Sequence, residues 1–192
     1  AIQFEIPISE QSSITQTIRL TSESSALEFD TTVEWHESHK FLKVEFPFDI
    51  RSQQCTYEIP YGWVQRPTHF NTSWDLARFE VCAHRWADLS EYNFGVALLN
   101  DCKYGYSTRG SLMSLSLLRS PKAPDETADM GVQNFRYAIY PHEKSFQDAR
   151  VVHEALRFNC SLYTKPVACS KNDAFSLVRV EGNHADSVLV DA

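Results

Sequence analysis

Glycine is scarce in this chain: six residues in 192, and they are scattered. That removes the flexible loops on which several large enzyme classes depend. No G-x-x-x-x-G-K-[ST] stretch cradles phosphates, and no G-x-S-x-G elbow lifts a serine out of a sheet. The run HRWADLSEYN (residues 84–93) superficially suggests the H-R-D-L-x-x-x-x-N catalytic loop of protein kinases. Trp86 and Ala87 split that pattern, and the glycine-rich loop, strand lysine and D-F-G metal site of a kinase are missing. Positive charge is short as well. With 18 Lys and Arg against 25 Asp and Glu, the net charge is −7, so no electrostatic footprint for nucleic acid or an anionic membrane exists. Long apolar runs are absent, the longest core-like stretch being FGVALL (94–99), which is far below a membrane span. The opening AIQFEIPISEQ does not have the charged-then-apolar order of a secretory leader. Cysteines number five (Cys55, Cys82, Cys102, Cys160 and Cys169), an odd count without a C-x-x-C pair. Neither a disulfide framework nor a zinc site is indicated, and a reducing compartment is expected. Two sequons, Asn71-Thr72-Ser73 and Asn159-Cys160-Ser161, pull the other way, but tripeptides of this kind arise often by chance.

What is present is alternation. A hydrophobic fraction of 43% with 12% aromatics fits a globular, β-rich protein. In ALEFDTTVEWH, Leu27, Phe29, Thr31, Val33 and Trp35 share one face, and Glu28, Asp30, Thr32 and Glu34 the other. This is a half-buried strand. FLKVEFPFDI turns Leu42, Val44, Phe46 and Phe48 inward, and Pro47 on the opposite face asks for an edge position or a bulge. The short HESHK between them reads as a hairpin connection. Further strands are expected at ARFEVCAH, with Ala77, Phe79, Val81 and Ala83 inward, and at FGVALLN, SLMSLSLL, NFRYAIYP and AFSLVRV. One segment departs from the period of two: SFQDARVVHEALRFN places Val151, Val152, Ala155 and Leu156 at helical spacing, with Ser145 and Asp148 as a capping box. Loops are expected at YGWVQRPTHFNTSWD and RSPKAPDETADMG. Many strands with turn signals between them, and one short helix, indicate an all-β fold of two stacked antiparallel sheets, a β-sandwich.

Three polar clusters are candidates for chemistry. His36 and His39 are three apart in a turn between strands, without a third ligand, and read as turn residues rather than a metal pair. RPTHFNTSWD gathers Arg66, His69, Asn71, Ser73, Trp74 and Asp75, the mixture a carbohydrate site needs, yet a loop bonded to itself explains it better. NDCKYGYSTRG follows a strand. Asp101, Lys103, Tyr104 and Arg109 are placed to face a ligand, and Gly105 and Gly110 permit tight geometry, the first at positive φ. A decorated hairpin accounts for it equally well. Cys102 has no base beside it in sequence and is not a nucleophile.

Six strings, WHESHKFLKVEFP, QRPTHFNTSWD, FEVCAHRWADLSE, GVALLNDCKYGY, LSLLRSPKAPD and YAIYPH, occur in the order in which closely similar strings run through the C-terminal region of family 38 α-mannosidases. The chain resembles the cytosolic and fungal vacuolar class most, densely over residues 30–148. The resemblance implies a sandwich of the galactose-mutarotase-like supersandwich type, spanning 1–192 as a C-terminal domain incomplete at both ends. It implies a cytoplasmic location, with the vacuole as the alternative. Family 38 enzymes are retaining exo-α-mannosidases that remove terminal mannose from oligosaccharides. Their Asp nucleophile and zinc or other divalent metal lie in an N-terminal barrel that has no counterpart here. The resemblance therefore implies a non-catalytic piece, with no cofactor or metal of its own, whose partners are the barrel and a mannose-containing oligosaccharide. Its job would be to cover the barrel and help wall the pocket, with Asp101 and Lys103 as polar contacts and Tyr104 as a stacking face. The alternative is a free-standing carbohydrate-binding or protein-interaction sandwich reusing the fold. An excised domain, unlike a free-standing one, should expose an apolar patch where its neighbour belongs.

Overall fold

The computed structural model describes residues 1–160, 162–166 and 175–190. The chain divides into two compact units, 1–161 and 162–192. Among the described residues of the first, twelve strands occur in chain order: β1 (Ile2–Pro7), β2 (Ser13–Thr21), β3 (Ser24–Trp35), β4 (Phe41–Pro47), β5 (Gln54–Ile59), β6 (Gly62–Pro67), β7 (Val81–Cys82), β8 (Trp86–Glu91), β9 (Phe94–Asn100), β10 (Gly105–Arg109), β11 (Leu112–Arg119) and β12 (Gly131–Glu143). Two helices, α1 (Ser73–Ala77) and α2 (Val151–Asn159), complete it. Eight strands form one sheet in the order β1-β2-β3-β12-β9-β8-β5-β6, and four form another in the order β4-β11-β10-β7. All pairs are antiparallel. The alternation read from the sequence thus produces the expected sandwich.

Its main core lies on the inner face. Phe29, Val33 and Trp35 of β3 meet Tyr57, Leu89, Leu98, Phe135 and Tyr137 from the same sheet, and Met113, Leu115 and Tyr106 from the other. Each such side chain, fully buried, contributes about 1.5–3 kcal/mol. Leu42, Val44, Phe46 and Phe48 pack against this core as expected, and Pro47 sits on an edge strand. A second, smaller core lies on the outer face of the large sheet. There α2 lays Val151, Ala155 and Phe158 over Ala26, Ala97, Leu99 and Ala138, where small residues let a helix approach.

Several expectations need correction. HESHK is not a hairpin: β3 and β4 belong to different sheets, so residues 36–40 cross the sandwich. His39 takes φ 55° there and its N–H donates to the Ser120 carbonyl at 3.0 Å. The expected loop YGWVQRPTHFNTSWD contains β6 and the start of α1, so the described residues hold two α-helices where one was expected. Thr72 and Asp75 form a capping box that starts α1. ARFEVCAH retains only the two residues of β7, and Phe79 is exposed. Ser145 does bond the Asp148 N–H, at 3.1 Å, but this closes a separate turn. Arg150, at φ 57°, interrupts the chain before α2 begins at Val151. In the second unit, Phe175–Val180 of the expected strand AFSLVRV run without strand structure, and Ala174 lies outside the described residues. A 3-10 turn (Ala185–Ser187) and an Arg179–Glu181 ion pair at 3.0 Å are formed in that unit.

Candidate functional site

The corner from β9 to β10 carries the chain from the large sheet to the small one, and residues 101–104 form its bend. One fully buried side chain organises it. The Asn100 amide donates to the His84 carbonyl at 2.7 Å and to the Tyr106 hydroxyl, and its oxygen accepts from the Lys103 N–H at 2.7 Å. Losing this side chain would orphan several partners at once, and each buried polar group left unpaired costs about 1–3 kcal/mol. The Asn159 amide closes the corner from outside, donating to the Asn100 carbonyl at 2.9 Å and to Ala155 within α2.

The three contact residues expected from the sequence are brought to this bend, but they do not present themselves alike. The Asp101 carboxylate accepts from the Arg136 N–H at 3.0 Å and from its guanidinium at 3.4 Å. Arg136 in turn donates to the Phe158 carbonyl at 3.1 Å and lies 4.9 Å over the Phe158 ring. Lys103 places its ammonium 4.7 Å over the Phe135 ring, a cation–π contact. Tyr104 is the outward group, 54% exposed, with its ring edge-on to His84 at 6.0 Å. Two charged residues hold the bend, and an aromatic plane projects from it.

The glycines differ from expectation. Gly110 is the one of the pair at positive φ (60°), in the following turn, whereas Gly105 is an ordinary strand residue. Its missing side chain has another reason: a Cβ there would stand 2.9 Å from the Ser116 Cβ. Arg109 turns away from the bend and stacks 5.3 Å over Phe70. The Cys102 thiol is pushed up to about 11, chiefly by desolvation and then by the Asp101 carboxylate, so it stays protonated near neutral pH and is no nucleophile. Such a corner can bind, but it carries no group poised for proton or acyl transfer.

In RPTHFNTSWD the self-bonded reading fits. Asp75 accepts from the Thr72 N–H and hydroxyl at 3.2 and 2.9 Å, and His69 stands 3.8 Å from the same carboxylate. Arg66 stacks 4.8 Å over Tyr57. Trp74 is the most exposed aromatic of this stretch, at 76%. His36 pairs with Glu34 at 3.5 Å. Among the described residues, no three His, Cys, Asp or Glu side chains come together as metal ligands, and no helix is long and apolar enough to cross a membrane.

Sequence reasoning missed a buried pair on the outer face. His142 Nε2 lies 2.6 Å from Asp88 Oδ2, both side chains being 2% exposed, and the Ser90 hydroxyl donates to the other carboxylate oxygen. A Cβ on Gly95 would stand 2.3 Å from the Ser90 Oγ and 2.5 Å from the His142 ring. A signal was available: Asp88 and Ser90 alternate with Ala87 and Leu89, which places the polar side chains on the face away from the main core.

Comparison with known proteins gives the fold its class first. A solved alpha-mannosidase from Enterococcus faecalis V583 superposes with a TM-score of 0.69 over 76% of this chain and 17% of that one, at 21% identity. The architecture is therefore that of a β-sandwich found within a much larger protein. Residues 1–127 match the model of the glycosyl hydrolases family 38 C-terminal domain, and the chain belongs to that family. Alpha-mannosidase 2C1 of Homo sapiens is 60% identical over 163 residues, and the alpha-mannosidase of Saccharomyces cerevisiae is 50% identical over 176 residues. These alignments cover 85% and 86% of this chain but 16% of each relative, so the chain spans about a sixth of their length.

Proposed function

We propose that the whole chain, residues 1–192, serves as the C-terminal sandwich region of a retaining exo-α-mannosidase, a non-catalytic part that docks on the N-terminal catalytic barrel. The enzyme acts on terminal α-mannose of oligosaccharides in the cytoplasm, the vacuole being the alternative. Its divalent metal, zinc in the family resemblance, belongs on this reading to the barrel. This chain's own contributions are packing and shape.

One observation carries the docking reading. Ile2 and Ile6 of β1 pair with Ile18 and Ile14 of β2, which pair with Phe29 and Val33 of β3. All therefore point to the inner face; Phe29, Val33, Ile14 and Ile18 lie in or against the core, whereas the β1 side chains are left uncovered. Ile2, Phe4, Ile6 and Leu20 stay exposed, Ile2 by 63%. A contiguous apolar overhang of this kind marks a surface that meets another part of a protein. In the intact enzyme, Ile2→Ser with Ile6→Ser should loosen the sandwich, seen as faster proteolytic release of this region. An unchanged cleavage rate would sink the docking reading.

The bend at 101–104 is the part we assign to the pocket wall, with Tyr104 as the contacting group and Asp101 and Lys103 holding it in place. Tyr104→Ala in the intact enzyme should raise KM for an oligosaccharide, and Asp101→Ala or Lys103→Ala should lower activity by letting the bend move. Full activity in all three variants would remove the bend from the pocket.

A further inference from the structure

The outer face of the large sheet is only half covered. Beyond the footprint of α2, the β8-β5-β6 end opens into a groove of about 480 Å³, closed on its far side by the turn at residues 145–147. Its floor is Thr56 and Asp88, directly opposite one another on adjacent strands. Gln54, Gln65 and Gln147 stand around it, and Trp63 forms one wall. Trp63 is 46% exposed and sits edge-on, at 5.5 Å and 75°, to buried Phe146, which packs 5.2 Å from Trp86. The wall is thus an aromatic platform braced by two further rings.

The floor is equally fixed. An ionised carboxylate has about four acceptor positions. Asp88 spends one on His142 and one on Ser90, which sets its orientation and leaves acceptor capacity. Gly95 supplies the space in which this pair sits. Among the described residues lining the groove, none is Lys or Arg, so phosphate and other anions find no counter-charge. The lining offers amides, hydroxyls, one carboxylate and one aromatic plane. That combination suits a neutral polyhydroxylated ligand, whose hydroxyls bond the polar rim while its C–H face lies on the ring.

We propose that this groove is a binding site for a neutral saccharide, with Trp63 as the stacking surface and Asp88, Thr56 and Gln65 as hydroxyl partners. The site rests on the groove alone and is independent of the pocket-wall role of residues 101–104. An oligosaccharide would be held here by its sugar rings, tethering a substrate or product to the enzyme.

The test is hydroxyl-radical footprinting of Trp63 in the intact enzyme, in the cold, with and without mannotriose, maltotriose or chitotriose. Trp63 should react in the free enzyme and be protected by at least one of the three. Gln65→Ala, a change at an exposed position, should raise the concentration needed for protection about tenfold by removing one hydrogen bond. Four results would overturn the proposal: no saccharide protects Trp63, Gln65→Ala leaves the protection curve unmoved, an uncharged peptide protects as well as the sugars, or Trp63 is already shielded in the free enzyme by another stretch of its polypeptide. Any of these leaves the proteolysis and KM measurements of the docking and pocket-wall readings standing, because those read other residues.

Discussion

The two faces of the eight-stranded sheet are built from the same strands by different rules. The inner face is apolar along β3, β12, β9, β8 and β5, and a second sheet closes over it. The outer face changes character across the sheet. Ala26, Ala97 and Ala138 admit a helix, then comes the buried Asp88–His142 pair, then an open polar groove. Alternation specifies the first face wherever the second sheet covers it, because every second residue there must leave water. The second depends on where α2 happens to land, and the residues it does not cover are free to serve a ligand. A tolerance difference should follow: truncation hurts most inside, and addition of bulk hurts most where the outer face is tightest.

Trp35 gives the largest expected effect. It is 1% exposed, reaches the centre of the inner core, and donates from its indole N–H to the Ser120 hydroxyl at 2.7 Å. Trp35→Ala leaves a cavity and an unpaired hydroxyl, and should destabilise the chain by about 3–5 kcal/mol. Urea unfolding checks it, and an unmoved midpoint would place Trp35 outside the core.

The outer face is probed by the opposite change. Gly95→Ala adds one methyl where Ser90 and His142 stand closer than any Cβ contact allows. The pair must part or the strand must shift, at about 1–3 kcal/mol. Gly62→Ala, at a glycine with open space and no positive φ, is the control. Equal melting temperatures for the two variants would show that the Asp88–His142 arrangement is looser than its distances suggest. Such a result would also weaken the case for a fixed groove floor.

How much of this was legible beforehand follows the same division. The strands β3, β4, β9, β11 and β12 announce themselves because branched and aromatic residues recur at every second position. β5 and β6 do not: each is only six residues long, and Pro60 just after β5 and Pro67 at the end of β6 read as loop. The turn at 36–40 looked like a hairpin because it is short, and nothing local says that its two strands join different sheets. The same limit governs the candidate site. NDCKYGY was visible as a polar turn, but only the fold shows that Asp101 faces Arg136, thirty-five positions away, leaving Tyr104 as the outward group. Asp88 and His142 are separated by 54 positions and meet because β9 lies between their strands.

The crossing at 36–40 offers the smallest and most selective test, because it joins the two sheets through polar bonds rather than packing. Glu37 accepts from the Lys40 ammonium at 2.7 Å, from the Ser12 hydroxyl at 3.0 Å and from the Ser9 hydroxyl. Lys40 first, then Ser9, hold its carboxyl down at about 2, from an ordinary 4.5. A folded pKa below the unfolded one means that the unfolded chain binds the proton more readily. The stabilisation is therefore complete above about 4.5 and is lost as the pH falls towards 2. Glu37→Gln should lower the melting temperature by a constant amount from neutral pH down to that upper limit, with the gap to the wild type closing below it. Trp35→Ala should keep its full gap over the same range, since packing carries no proton. A Glu37→Gln gap that did not narrow in acid would mean that the crossing is held by the shape of the side chain and not by its charge.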